Sequence, residues 1–155
     1  MSEITLNQAE RIIDAVLARG RELDCRPLSV VVTDPGAHVK AFKKEDTSAM
    51  LRFEMAMGKA FAALALGRSS SLVRVRNEEK PQFMNYLISA SGGKIFPEGG
   101  GRLIRDGNCG IIGAVGVTGD TETRDEELAA HGIRAAGLTT DEDCAHLGKQ
   151  VRLKN

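Results

Sequence analysis

The 155-residue chain carries no net charge, because 21 lysines and arginines cancel 21 aspartates and glutamates. Without a global field to draw in a polyanion or an acidic lipid surface, neither nucleic acid nor a membrane is expected as a partner. No apolar run approaches the roughly 20 residues that cross a bilayer. Met1-Ser2-Glu3-Ile4-Thr5 places an acidic residue where a secretory leader needs a basic patch followed by an apolar stretch. Cysteine is scarce as well: Cys25, Cys109 and Cys144 are odd in number, widely spaced and form no CxxC pair, which predicts neither a disulfide framework nor a zinc knuckle. Idle thiols in a reducing compartment, the cytoplasm, are the expectation. There is no internal repeat, no metal-binding motif, no unmistakable catalytic triad and no GxxxxGK[ST] phosphate loop, so nucleotide hydrolysis has no support.

What is present suits an ordinary globular protein, with 42% hydrophobic and 27% charged residues. A chain of this size buries roughly 68–70% of its unfolded surface. With no linker to divide it, the chain reads as one domain over 1–155, with a core at about 5–138 and a capping segment and tail at 139–155.

Thr5-Leu6-Asn7-Gln8 has the spacing of a capping box, and Leu6, Ala9, Ile12, Ile13, Val16, Leu17 and Leu23 follow at helical period, so the first element is an amphipathic helix ending near Asp24. Leu28 to Thr33 is β-branched and reads as a buried strand. Asp34-Pro35-Gly36 is a turn in which the glycine supplies a positive φ, and Ala37 to Lys43 returns as the partner strand. Ser48 to Gly67 is helical, with small residues from Ala56 to Ala65 that admit another backbone. Ser69-Ser70-Ser71 caps a short helix to about Arg76, and Pro81 opens another. Ile95-Phe96 reads as a short extended piece and an extra strand. Arg102 to Arg105 and Cys109 to Val117 form a second hairpin around Asp106-Gly107-Asn108. Glycines 110, 113 and 116 interrupt its second strand, where they admit a backbone or a ligand. Thr121 to Gly137 is a helix with an acidic start, and Thr140-Asp141-Glu142-Asp143 caps a last turn or two. Two hairpins separated by helices imply an α+β arrangement, an antiparallel sheet covered by helices.

Several residues carry chemistry in this order of elements. Glu98-Gly99-Gly100-Gly101-Arg102 is either a flexible turn or a loop whose amides bind an anionic oxygen with Arg102 as a bidentate partner. Glu127 and His131 share a helix face, with Glu126 beside them, as a solvated pair or as a carboxylate that orients a general base. Lys59, among Met57, Gly58, Ala60 and Phe61, is either a snorkelling lysine or an ammonium held in apolar surroundings for an anion, with Arg52 two turns earlier on the same positive face. His38 lies on a strand, where a surface role is the simpler reading. Asp34 reads as a turn residue, and Met50, Met55 and Met57 as core or interface filler.

Val31-Val32-Thr33-Asp34-Pro35-Gly36, Lys59-Ala60 in a small-residue helix, and Ile112-Gly113-Ala114-Val115-Gly116-Val117-Thr118-Gly119 followed by Asp125-Glu126-Glu127 together resemble the GlcG/HbpS family, the haem-degrading domain family related to the PduO C-terminal domain. The resemblance covers about Leu6 to Leu138. It implies a profilin-like fold with a central antiparallel sheet of about five strands flanked by helices, and assembly into homo-oligomers from dimers up to octamers. It also implies haem or a corrinoid such as cobalamin as a ligand, for which His38 and His131 are the axial candidates. Arg102 and Arg105 follow the glycines where many members run directly into an apolar strand, which favours a small organic anion. The reading is a small-molecule-binding accessory protein of a catabolic pathway, its pocket at an oligomer interface and lined by Arg52, Glu98, Gly99, Gly100, Gly101, Arg102 and Glu126. The alternative is a cofactor-independent hydrolase, isomerase or lyase of unsaturated or hydroxylated carboxylic acids, with Glu127, His131 and Lys59 as catalytic groups.

Overall fold

The computed structural model describes residues 3–154; Met1, Ser2 and Asn155, which include part of the segment read for a leader, lie outside the described residues. Thr5 caps the first helix, α1 (Leu6–Glu22), as the spacing predicts: the Gln8 amide donates to the threonine hydroxyl and the Gln8 side chain accepts from the Thr5 amide. Its buried face is Ala9, Ile12, Ile13 and Val16. Strand β1 (Ser29–Thr33) is buried at every residue, which explains why it reads as a continuous apolar run.

The turn to β2 (Val39–Lys44) differs in detail from expectation. Ala37, not Gly36, takes the positive φ, at 66°. Gly36 serves a steric purpose instead, because a Cβ there would meet the His38 ring at 2.9 Å. The long helix α2 (Arg52–Leu66) starts at Arg52 rather than Ser48, since Thr47 sits at φ 68° and no side chain caps the helix. Short helices α3 (Ser70–Glu79) and α4 (Pro81–Ala90, proline in its first turn) follow. Strands β3 (Gly101–Arg105) and β4 (Ile111–Thr118), helix α5 (Glu122–Ala135, capped by Thr121) and a kinked 3-10 segment (Glu142–Gln150) complete the described residues.

The sheet has four antiparallel strands in the order β2-β1-β4-β3, not the expected five. Ile95-Phe96 forms no strand because it lies across α2: the Phe96 amide donates to the Gly58 carbonyl at 3.2 Å, and Phe96 Cβ fills the space over that glycine. Among the described residues, the β3 edge pairs beyond the sheet through an isolated bridge between Arg105 and Thr139. Helices α1 and α5 cover one face, against Val30, Val32, Ile104, Val115 and Val117. Helix α2 covers the other, against Val31 and Ala114. It comes down to backbone contact there, since a Cβ on Gly116 would run into the Ala56 carbonyl and one on Gly101 into that of Lys59. Of the two occupants that the β4 glycines admit, a backbone fills the space at Gly116. Among the described residues no helix is long and apolar enough to cross a membrane.

The sequence predicts three unpaired thiols, and the structure corrects this. Cys109 and Cys144, 35 residues apart, form a disulfide, while Cys25 is a buried free thiol. The pairing is non-local: the chain after α5 folds back over the β3–β4 turn, where Cys109 adopts φ 65°, and brings Cys144 against it. The turn itself is tied by Asp106, whose carboxylate accepts from the Asn108 and Gly110 amides.

Candidate functional site

The predicted site residues fall in three places. The first is the glycine loop before β3. Its amides all have partners within the chain: Gly99 donates to Glu122 Oε1 at 2.7 Å, Gly100 to Glu126 Oε2 at 2.9 Å and Gly101 to the Ser70 hydroxyl at 2.7 Å. The loop thus is an anion cradle filled by the protein's own carboxylates from α5. Glu126 also accepts from Ser71, and Arg102 closes the arrangement with its Nε on the Glu126 carbonyl and its Nη1 on Glu142 at 2.7 Å. Glu98 is half-buried at the start of the loop.

Lys59 lies behind this loop and is 1% exposed. Its ammonium donates to the Val117 carbonyl at 3.0 Å and pairs with Asp125 at 3.3 Å. Asp125 accepts in addition from the Asp120 amide. Burial pushes the Asp125 carboxyl up to about 6, against the opposing pull of Lys59 and of that amide. Arg52 reaches the same end of β4 and donates to the Thr118 hydroxyl at 2.8 Å. Lys59 and Arg52 thus tie α2 to β4, and neither shares a cavity with Glu127 or His131.

Glu127 and His131 are exposed on α5 and line an open groove of about 570 Å³ with Arg102, Ala130, Arg134 and Ala135. Glu127 is 62% exposed in its side chain and stands 3.8 Å from Arg124. That separation is too long for a hydrogen bond, so this is a loose, exposed ion contact.

The third place is His38. It stands at the mouth of a cleft of about 470 Å³ between the β1–β2 turn and α2, whose walls are mostly apolar: Phe53, Met57 and Phe61, with Glu54 and Lys94 at the margin. Phe53, Met57 and Phe61 recur at the i, i+4 spacing and form one stripe along α2. Phe53 is fixed by an edge-on contact with Phe42 at 4.9 Å between ring centroids, and Lys94 lies 5.8 Å from the Phe61 ring centre. The His38 ring is held by Asp34, with Nδ1 at 3.1 and 3.2 Å from the two carboxylate oxygens. Asp34 is itself fixed, because its Oδ1 accepts from the Gly36 and His38 amides. Burial works to raise the Asp34 carboxyl, but those amides and the imidazole outweigh it and hold the group below the ordinary carboxylate value. The outcome is an imidazole whose Nδ1 is committed to a carboxylate and whose side chain is 81% exposed. Sequence reading assigned Asp34 to the turn alone and Met57 to filler; the periodic Phe53-Met57-Phe61 stripe was the signal for a cleft wall.

A four-stranded antiparallel sheet clad by helices on both faces defines a small mixed α+β fold, with an Asp–His pair beside an apolar cleft as its candidate site. The family model of haem-degrading HbpS-like proteins matches residues 4–134, and the chain belongs to that family. No curated protein matches the sequence. Among solved structures, the chain is similar to PduOC in complex with heme (22% identity, TM-score 0.77, covering 89% of this chain and 98% of that one). It is also similar to the Klebsiella pneumoniae protein ORFY (25% identity, TM-score 0.79, covering 88% and 92%). HbpS gives 21% identity and a TM-score of 0.74, over 86% of this chain and 90% of the other.

Proposed function

We propose that this chain is a haem-binding accessory protein that takes the macrocycle in the cleft between the β1–β2 turn and α2, with His38 Nε2 as the iron ligand. The observation that carries the reading is the Asp34–His38 pair at the mouth of the apolar cleft. A carboxylate on Nδ1 fixes the tautomer and ring orientation of a ligating histidine and raises its basicity. The donor set fits the group: an imidazole for iron, two phenylalanines and a methionine for the apolar macrocycle, and Lys94 at the margin for a carboxylate side arm. Haem, when bound, supplies iron-centred redox and oxygen chemistry. The chain's own part is to hold the imidazole, exclude water along the α2 wall and steady the ring through Gly36, whose lack of a side chain leaves room for it. The cleft is open on one side, and a second copy of the chain would cover it in a homo-oligomer.

Membership of the HbpS-like family and the similarity to PduOC, whose structure is a heme complex, support the same ligand class. The glycine loop, by contrast, offers no free amide to a small anion.

The test is a titration with hemin followed by the Soret band. His38→Ala is expected to shift the band and to weaken binding well beyond the roughly 10- to 100-fold typical of losing an outer-shell partner, while Asp34→Asn loses about that factor. His131→Ala is expected to bind as the parent does. An unchanged spectrum and affinity in His38→Ala would overturn the assignment.

A further inference from the structure

We infer that a partly enclosed cavity of about 120 Å³, lined by Arg68, Arg76, Arg152, Leu66 and Phe83, is a binding site for a phosphate group. It shares no wall residue with the His38 cleft, so it stands independently of the haem reading. Three guanidiniums converge there, and among the described residues no carboxylate lines the wall. Elsewhere in the chain the pattern is the opposite. Arg74, Arg102, Arg105 and Arg134 each meet an acidic side chain, at 2.6, 2.7, 2.6 and 3.1 Å.

Separate stretches of chain build the convergence. Gly67 ends α2 in the left-handed region, at φ 67°, and the turn that follows seats Arg68 between α2 and α3 at 7% exposure. Arg76 lies on α3, with its guanidinium 5.9 Å from the centre of the Phe83 ring on α4. That cation–π attraction holds Arg76 in place but supplies no oxygen acceptor. Arg152 comes from the far end of the chain, where Val151 is buried against Leu147 and the Cys109–Cys144 disulfide and anchors the residue beside it.

Like charges gathered in a cavity repel one another, and burial removes the water that screens them. Both effects reach Arg68: desolvation first, then Arg152 and Arg76, hold its guanidinium below the ordinary arginine value. A phosphate group carries about −1.5 to −2 charges near neutrality, so it offsets more of this repulsion than a single carboxylate does. Its oxygens also accept from several guanidinium forks at once. The volume agrees with a small occupant. At about 120 Å³ the cavity is well below the roughly 300–1,000 Å³ of pockets for drug-sized ligands, so it admits a free oxyanion or one group of a larger molecule. Phe83, 51% exposed, offers apolar surface to the remainder of an ester.

Inorganic phosphate is the probe, titrated calorimetrically into the full chain at constant ionic strength, with thermal unfolding followed in parallel. The parent is expected to bind it and to melt higher as its concentration rises, because a ligand of the folded state stabilises that state by mass action. Arg76 is half-buried and Arg152 exposed, so both can be replaced without opening the core. Arg76→Gln and Arg152→Gln are each expected to weaken phosphate binding about tenfold or more, the usual loss of a hydrogen bond between charged groups. Arg11→Gln, exposed on α1, removes the same charge elsewhere and should bind as the parent does. Phosphate that raises the melting temperature no more than sodium chloride of equal ionic strength overturns the site, as does an effect that survives in the Arg76→Gln/Arg152→Gln double variant. Acetate binding as tightly as phosphate overturns the preference for a doubly charged group. Phenyl phosphate separates the two sources of that group: a gain of about tenfold over inorganic phosphate, as expected for a ring laid on Phe83, assigns the site to an ester, and no gain assigns it to the free ion.

Discussion

Lys59→Met is expected to lower the stability of the protein by about 3–5 kcal/mol at neutral pH, the range for removing one partner of a buried ion pair. Methionine matches the length of the lysine stem, so the loss is electrostatic rather than a cavity effect. Asp125, 2% exposed in its side chain, would keep only the Asp120 amide, and the Val117 carbonyl would lose a donor. The cost should shrink as the pH falls, because Asp125 already sits at about 6 through burial and rises further without the ammonium, so it can take a proton and become neutral. Urea unfolding of parent and variant at pH 7.5 and pH 5 measures both effects. A loss below about 1 kcal/mol, or one that is equal at the two pH values, would mean that the pair is not a buried charge contact.

The same group sets an unusual pH dependence in the parent. An aspartate whose folded-state pKa is raised binds more protons folded than unfolded between its two values, so its contribution to stability is present at low pH and is lost as the pH rises from 3.8 through about 6. At about 1.4 kcal/mol for each unit, Asp125 accounts for no more than about 3 kcal/mol over that window. Asp141, raised by burial against the pull of Arg105, acts in the same direction. Asp34, Asp120, Glu142 and Asp143 are lowered and act oppositely, their contributions being lost as the pH falls. Asp125→Asn isolates the first effect: relative to the variant, the parent is expected to gain stability between pH 7 and pH 5.

Elements whose signals are local were legible in the sequence. The Thr5–Gln8 box, the apolar period of α1, Pro81 at the start of α4 and the turn around Asp106-Gly107-Asn108 each act within a few residues, and each is found where those residues place it. What was not legible depends on chain that returns from far away. Cys109 and Cys144 carry no spacing signature, because their meeting is decided by how the segment after α5 folds back. The glycine loop has the composition of an anion cradle, yet only the docking of α3 and α5 reveals that Ser70, Glu122 and Glu126 already fill it. Asp125 reads as part of the acidic start of its helix, which agrees with the helix dipole; that it faces Lys59 follows from α2 and α5 meeting across the end of β4. His38 shows the same limit in reverse. Its turn was predicted, its cleft was not, since the wall is a stripe on α2, a separate element that begins only at Arg52.

Gly116→Val is expected to destabilise by at least about 3 kcal/mol, the upper part of the range for forcing extra atoms into a packed core, although every local rule favours the change. Valine is a better strand residue than glycine, by up to about 1 kcal/mol, and glycine within a strand gives up more backbone freedom on folding. Gly116 pairs with Val31 on one side and Gly101 on the other, and its α2-facing side meets main chain rather than side chains. A Cβ would strike the Ala56 carbonyl and lie 3.2 Å from the Ala60 amide nitrogen, so no rotamer change can make room and α2 must move as a body. That displacement would also draw Lys59 away from Val117 and Asp125, because the lysine lies on the same helix one residue before Ala60. The loss in Gly116→Val and that in Lys59→Met should therefore be non-additive, since the first already weakens the contact that the second removes. Gly107→Ala serves as the control: nothing lies within 4 Å of its Cβ. Its stability should stay within about 0.5 kcal/mol of the parent. Urea midpoints for the three variants and the Gly116–Lys59 double variant give the comparison. A Gly116→Val protein within about 1 kcal/mol of the parent would show that α2 does not rest on the backbone of β4.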